Sequence, residues 1–150
     1  FNLDVPRMNY FIGGSIATML HGINLSRTPH DIDIIVRAEN FDRIKRELED
    51  SFYYKVLPID PYDKDDDKGN ILHVAFETAE SPQLDILCNK PLEVETMLDR
   101  SIKLSTNTLP RIASLQELVK AKKYFNRAKD KEDLVLLQRA LDKIEKDLMI

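Results

Sequence analysis

The chain has little cysteine, no paired histidines, no long apolar run and no excess of positive charge. Its single cysteine, Cys88, cannot close an internal disulfide, which fits a reducing cytoplasm and argues against a structural zinc site. His21, His30 and His73 show no paired metal-ligand spacing. No local signature around Ser15 or Cys88 marks a catalytic nucleophile. No apolar stretch approaches the roughly 20 residues of a membrane span, and no signal-peptide pattern opens the chain. Net charge is −4, which argues against a broad nonspecific nucleic-acid surface and leaves room for a local basic site. The chain opens on Phe1 rather than methionine, consistent with a native segment ahead of it.

What is present describes one soluble domain with a sizeable core: 150 residues, 43% hydrophobic and 32% charged. "NYFIGG" (9–14) reads as a strand entering a glycine turn, and "SIATMLHG" (15–22) as a helix with Ser15 as N-cap and Gly22 as stop. "DIDIIV" (31–36) is a second strand. Phe41, Ile44 and Leu48 keep helical spacing behind a cap at Asn40. "FYYKVLPI" (52–59) and "ILHVAFE" (71–77) suggest a hairpin with a long polar tip, "QLDILCN" (83–89) another strand, and 92–99 a short helix. "TNTLPRIA" (106–113) reads as an edge strand, where proline is tolerated. "SLQE" (114–117) matches a capping box opening a helix to about Phe125. A longer helix over 130–148 carries the stripe Leu134, Leu137, Leu141, Ile144 and Leu148. The expected fold is α/β (α+β): a mixed sheet of about five strands with flanking helices over 1–113, and a C-terminal helical pair over 114–150 packed on it.

Several constellations carry chemistry. Glycines in "GGS" (13–15) let backbone approach a ligand, and the N–H groups of a helix start favour an anion; an ordinary tight turn with a serine cap is the plainer reading. Asp31 and Asp33 share one face of an oily strand, where two unpaired charges are costly, so a hard cation such as Mg²⁺ between them is the functional reading and a solvated strand face the plain one. Asp85 is a third acid in an apolar strand, or an aspartate near an open edge. If the strands are neighbours, the three carboxylates could hold two Mg²⁺ ions for phosphoryl-group chemistry. Lys122 falls where the stripe Leu115, Leu118, Val119, Phe125 calls for an apolar residue; it either snorkels to water or meets a phosphate. In "RAKDKED" (127–133), Asp130 reads as an N-cap and Asp133 as a first-turn acid, while Arg127 and Lys129 face a nucleotide or only water. "DKDDDKG" (63–69) mimics a calcium loop, but Gly69 comes one place late and Val74 stands where the closing glutamate belongs, so it reads as a solvated loop.

The stretch "FIGGSIATMLHGINLSRTPHDIDIIV" resembles the core signature of the nucleotidyltransferase superfamily with the DNA polymerase β-like fold: a Gly-Gly/Ser turn, a helix, Asp-x-Asp on the next strand and a third acid on a later one. The matching residues are Gly13, Gly14, Ser15, Asp31, Asp33 and Asp85. "ELVKAKKYFNRAKDKEDLVLL" resembles the C-terminal part of small bacterial members, among them abortive-infection toxins and some antibiotic nucleotidyltransferases, through Lys122, Arg127, Lys129, Asp130 and Asp133. One departure stands out: Arg27 is in place, but Thr28 adjoins it and Pro29 occupies the position where related groups carry threonine. The resemblance implies ATP or another NTP, Mg²⁺ in a two-metal site, and transfer of a nucleoside monophosphate to an acceptor hydroxyl with release of pyrophosphate. It implies that Gly13, Gly14 and Ser15, with Arg27, Lys122, Arg127 and Lys129, bind the nucleotide. Asp31, Asp33 and Asp85 would bind metal and carry catalysis, Asp85 also positioning or deprotonating the acceptor. The acceptor is open between a small molecule, a tRNA end and a protein. Two other readings stand beside it: a non-catalytic nucleotide- or partner-binding member of a toxin–antitoxin pair, with a cognate protein or a second copy as partner, and a plain interaction domain.

Overall fold

The computed structural model describes residues 10–29, 31–58, 71–78, 83–88, 94–103 and 111–149. Strand β1 (Tyr10–Gly13) runs directly into helix α1 (Gly14–Leu20), and β2 (Ile32–Val36) leads to α2 (Ala38–Glu49). Strands β3 (Tyr54–Val56) and β4 (Ile71–Phe76) pair as the expected antiparallel hairpin, followed by β5 (Leu84–Leu87) and α3 (Val94–Arg100). Strands β6 (Ile102–Lys103) and β7 (Arg111–Ile112) precede the helical pair α4 (Leu115–Phe125) and α5 (Ala128–Leu148). The calcium-like loop and the hairpin tip lie outside the described residues, as does His30.

Among the described residues the sheet has seven strands in the order β3-β4-β5-β2-β1-β7-β6, two more than the expected five or so. The surplus comes from two-residue strands, too short to leave a periodic trace. β7 is not an edge strand: it pairs with β1 on one side and with β6 on the other. β2 sits in the middle, parallel to β5 and antiparallel to β1, which is where its oily composition belongs.

The alternation of β2 divides the core. Ile34 and Val36 point to one face, packed with Phe41, Ile44 and Leu48 of α2 and with Leu72 and Ile86. Ile35 points to the other, packed with Phe11, Ile112, Leu118, Leu137 and Leu141. Asp33 and Asp31 share the face of Ile35, so the acids look toward α1 and the C-terminal helices.

The helix ends correct several expected caps. Gly14, at φ +60°, takes the turn, so α1 starts before Ser15 and has no side-chain cap. Gly22, at φ +87°, does sit at the helix exit. Helix α2 begins after Arg37, leaving Asn40 inside the first turn. The Ser114 hydroxyl accepts the Glu117 N–H, as the capping box requires, but the Glu117 carboxylate turns to Arg100. Helix α5 begins after Arg127; Asp130 is three residues in and accepts the Arg127 backbone N–H.

Candidate active site

Strand register builds the site. Gly13 lies opposite Asp33, Asp33 opposite Asp85, and Asp85 opposite His73, one residue from each of β1, β2, β5 and β4. These four positions form a row straight across the sheet. Asp31, two residues before Asp33, joins the same face at the strand's mouth. One carboxylate oxygen from each of Asp31, Asp33 and Asp85 lies within 4.8 Å of the others. The glycine turn closes on this cluster. A Cβ on Gly14 would run into Asp33 Oδ2, and the backbone there is left-handed, so only glycine meets both demands.

Three acids so close oppose ionisation. Asp33 is pushed up to about 7, first by its removal from water and then by the charges of Asp85 and Asp31, with Lys122 and Arg127 acting the other way. Asp31 is also raised, by burial and by a hydrogen bond and like charge from Asp85, against which Lys129 pulls. The oxygen-only donor set and the mutual repulsion of the acids are what a hard divalent cation relieves. The residues present therefore fit a hard divalent cation.

His73 was not legible as a site residue. Its Nδ1 lies 2.6 Å from Asp85 Oδ1. The signal was available only through register: on a hairpin partner strand, a histidine opposite an acid shares its face.

Behind the turn lies a second layer of charge. Lys122 is buried, and it neither snorkels to water nor stands alone: Nζ donates to Asp130 Oδ1 at 3.2 Å and to Asp133 Oδ2 at 2.9 Å. Arg127 binds Asp130 at 2.7 Å through Nε, and its guanidinium lies 5.3 Å from the Phe125 ring centroid. Burial alone would raise Asp130, but the Arg127 hydrogen bonds and the charges of Lys122 and Arg127 outweigh it and hold the carboxyl below its ordinary range. Asp133, expected as a first-turn acid, lies in the second turn with 2% exposure and binds Arg27 at 2.6 Å. Ser15 sits between them: it accepts from Arg27 Nη2 at 2.7 Å and donates to Asp133 at 3.4 Å. A cavity of about 50 Å³ separates the turn from α4, lined by Gly13, Gly14, Asp33, Lys122, Phe125 and Arg127 among others. Seven of the ten expected site residues thus belong to the acid cluster or line the cavity, Arg27 and Ser15 join through Asp133, and Lys129 acts on Asp31 through its charge.

The chain has a nucleotidyltransferase-like fold. It superposes on the aminoglycoside nucleotidyltransferase ANT(2")-Ia, solved in complex with adenylyl-2"-tobramycin, at a TM-score of 0.51 and 14% identity, over 91% of this chain and 83% of that one. It is also similar to a candidate nucleotidyltransferase from Thermotoga maritima, at 0.49 and 20% identity, over 90% and 83%. No family model and no curated protein matches the sequence.

Proposed function

We propose that the chain is a Mg²⁺-dependent nucleotidyltransferase that moves a nucleoside monophosphate from an NTP, ATP first among candidates, to an acceptor hydroxyl. The observation that carries this reading is the convergence of Asp31, Asp33 and Asp85 beside Gly14, a position that admits no side chain. Asp31, Asp33 and Asp85 would hold the metal, which when bound neutralises phosphate charge and acidifies an attacking hydroxyl. Gly13, Gly14 and Ser15 bring backbone against the triphosphate. Arg27, Lys122, Arg127 and Lys129 supply the positive field that offsets the negative charge of the departing pyrophosphate. Asp85, its Oδ1 tied by His73, receives the acceptor's proton as the new oxygen–phosphorus bond forms and the bond to pyrophosphate breaks.

The test is incubation with labelled NTPs, Mg²⁺ and a panel of acceptors that includes aminoglycosides, tRNA and proteins. Label should pass to one acceptor class, and Asp33→Asn should lower the rate by more than about 100-fold, the upper range for loss of an outer-shell metal partner. NTP binding without turnover would favour the non-catalytic member of a toxin–antitoxin pair. Neither binding nor transfer would sink the proposal.

A further inference from the structure

We infer that Asp133 is a positioning residue for the nucleotide: from α5 it holds Arg27, Ser15 and Lys122 as one phosphate-facing unit. The inference rests on the nucleotidyltransferase reading. A single oxygen, Asp133 Oδ2, accepts from Arg27 at 2.6 Å, Lys122 at 2.9 Å and Ser15 at 3.4 Å. Those three donors come from three separate parts of the chain: the start of α1, the connection between α1 and β2, and α4. Two cations gather on one carboxylate. With Asp130 and Arg127 added, three cations face two acids, so the network keeps a net positive charge, and its Lys122, Arg127 and Asp130 line the same cavity as Gly13 and Gly14.

A merely structural role explains this poorly. A buried ion pair is a weak stabiliser compared with apolar packing of the same volume, and a carboxylate shared among three donors is a device for fixing geometry. Arg27 adds an independent sign. Its Nε is buried and has no hydrogen-bond partner among the described residues, while its Nη2 is held by Asp133 and Ser15. A buried guanidinium N–H left without an acceptor calls for one, and a phosphate oxygen supplies it. Asp133 uses the Ser15 proton and Arg27 uses a Ser15 lone pair, so the hydroxyl has one orientation.

The experiment measures binding of α,β-methylene-ATP with Mg²⁺, and transfer kinetics, for the wild type, Asp133→Asn, Arg27→Met and the double variant. Asp133→Asn should weaken analogue binding by about 10–100-fold and raise KM for the NTP more than it lowers kcat. The double variant should bind within about twofold of the weaker single variant, because both remove the same held guanidinium. A folded Asp133→Asn that binds like the wild type, or losses that multiply in the double variant, overturns the inference. Where Asp133→Asn does not fold, Asp133→Glu keeps the charge and displaces it by a methylene; unchanged binding there overturns it equally. A wild type that neither binds the analogue nor transfers label removes the nucleotidyltransferase reading itself, an outcome distinct from failure of the Asp133 unit alone.

Discussion

A methyl group on Gly14 would meet the Asp33 carboxylate, and it would do so from a backbone in the left-handed region. Two penalties then fall on one substitution. The conformation costs about 1–2 kcal/mol for a non-glycine residue, and the clash pushes Asp33 out of the row. Gly14→Ala should therefore lower thermal stability and abolish the Mg²⁺-induced rise in Tm, both readable by scanning fluorimetry. Gly22 also has positive φ, but nothing lies near its missing Cβ, so it bears only the conformational demand. The comparison separates a glycine required by the chain's path from one required by a neighbour. Asp133 shows the converse at the same scale. Its sequence setting offers a complete local explanation, an acid near a helix start, yet two of its three partners, Arg27 and Ser15, are 106 and 118 residues distant.

Helix α5 carries 21 residues, roughly 30 Å of helix, and outruns the core it packs on. Leu137 is fully buried and Leu141 nearly so, whereas Ile144 is 46% exposed and Leu148 81% exposed. The expected stripe is thus real as a pattern and only half used in packing. Leu137→Ala should cost about 2–5 kcal/mol in urea unfolding, while Leu148→Ala should stay within about 0.5 kcal/mol. Equal effects would contradict the packing. The elements differ in how far their residues announce them. The glycine turn, the paired acids, the hairpin and the two C-terminal helices each carry a local signature: turn chemistry, alternation or helical period. β6 and the interior place of β7 carry none, because two residues define no period. Asn40, Asp130 and Ser15 are good caps by type, yet each helix starts elsewhere, since extended residues such as Arg37 and Arg127, or the left-handed Gly14, end the preceding segment first. His73 and the partners of Lys122 depend on pairing across the fold, which no single segment contains.

For the molecule as a whole, the acids couple stability to pH and metal. Asp33 rises from 3.8 to about 7 on folding, so between about pH 4 and pH 7 the folded chain keeps a proton that the unfolded chain has released. More protons are then bound in the folded state, and the metal-free protein loses stability as pH rises through that window, levelling above about pH 7. Asp33→Asn removes this slope. On the proposed function Mg²⁺ would act in the opposite sense, because it needs the ionised carboxylate, so its gain in Tm should be larger at pH 8 than at pH 6. Equal gains at both pH values, or equal gains in wild type and Asp33→Asn, would count against the acids as ligands. The row Gly13–Asp33–Asp85–His73 has a further consequence, for the order of folding. It runs across the chain's direction and draws on residues up to 72 positions apart, so no hairpin or fragment contains it. Such distant pairings close late, after the local contacts. Affinity for a divalent ion should thus emerge only when β5 docks beside β2, making the ion a reporter of sheet completion during refolding.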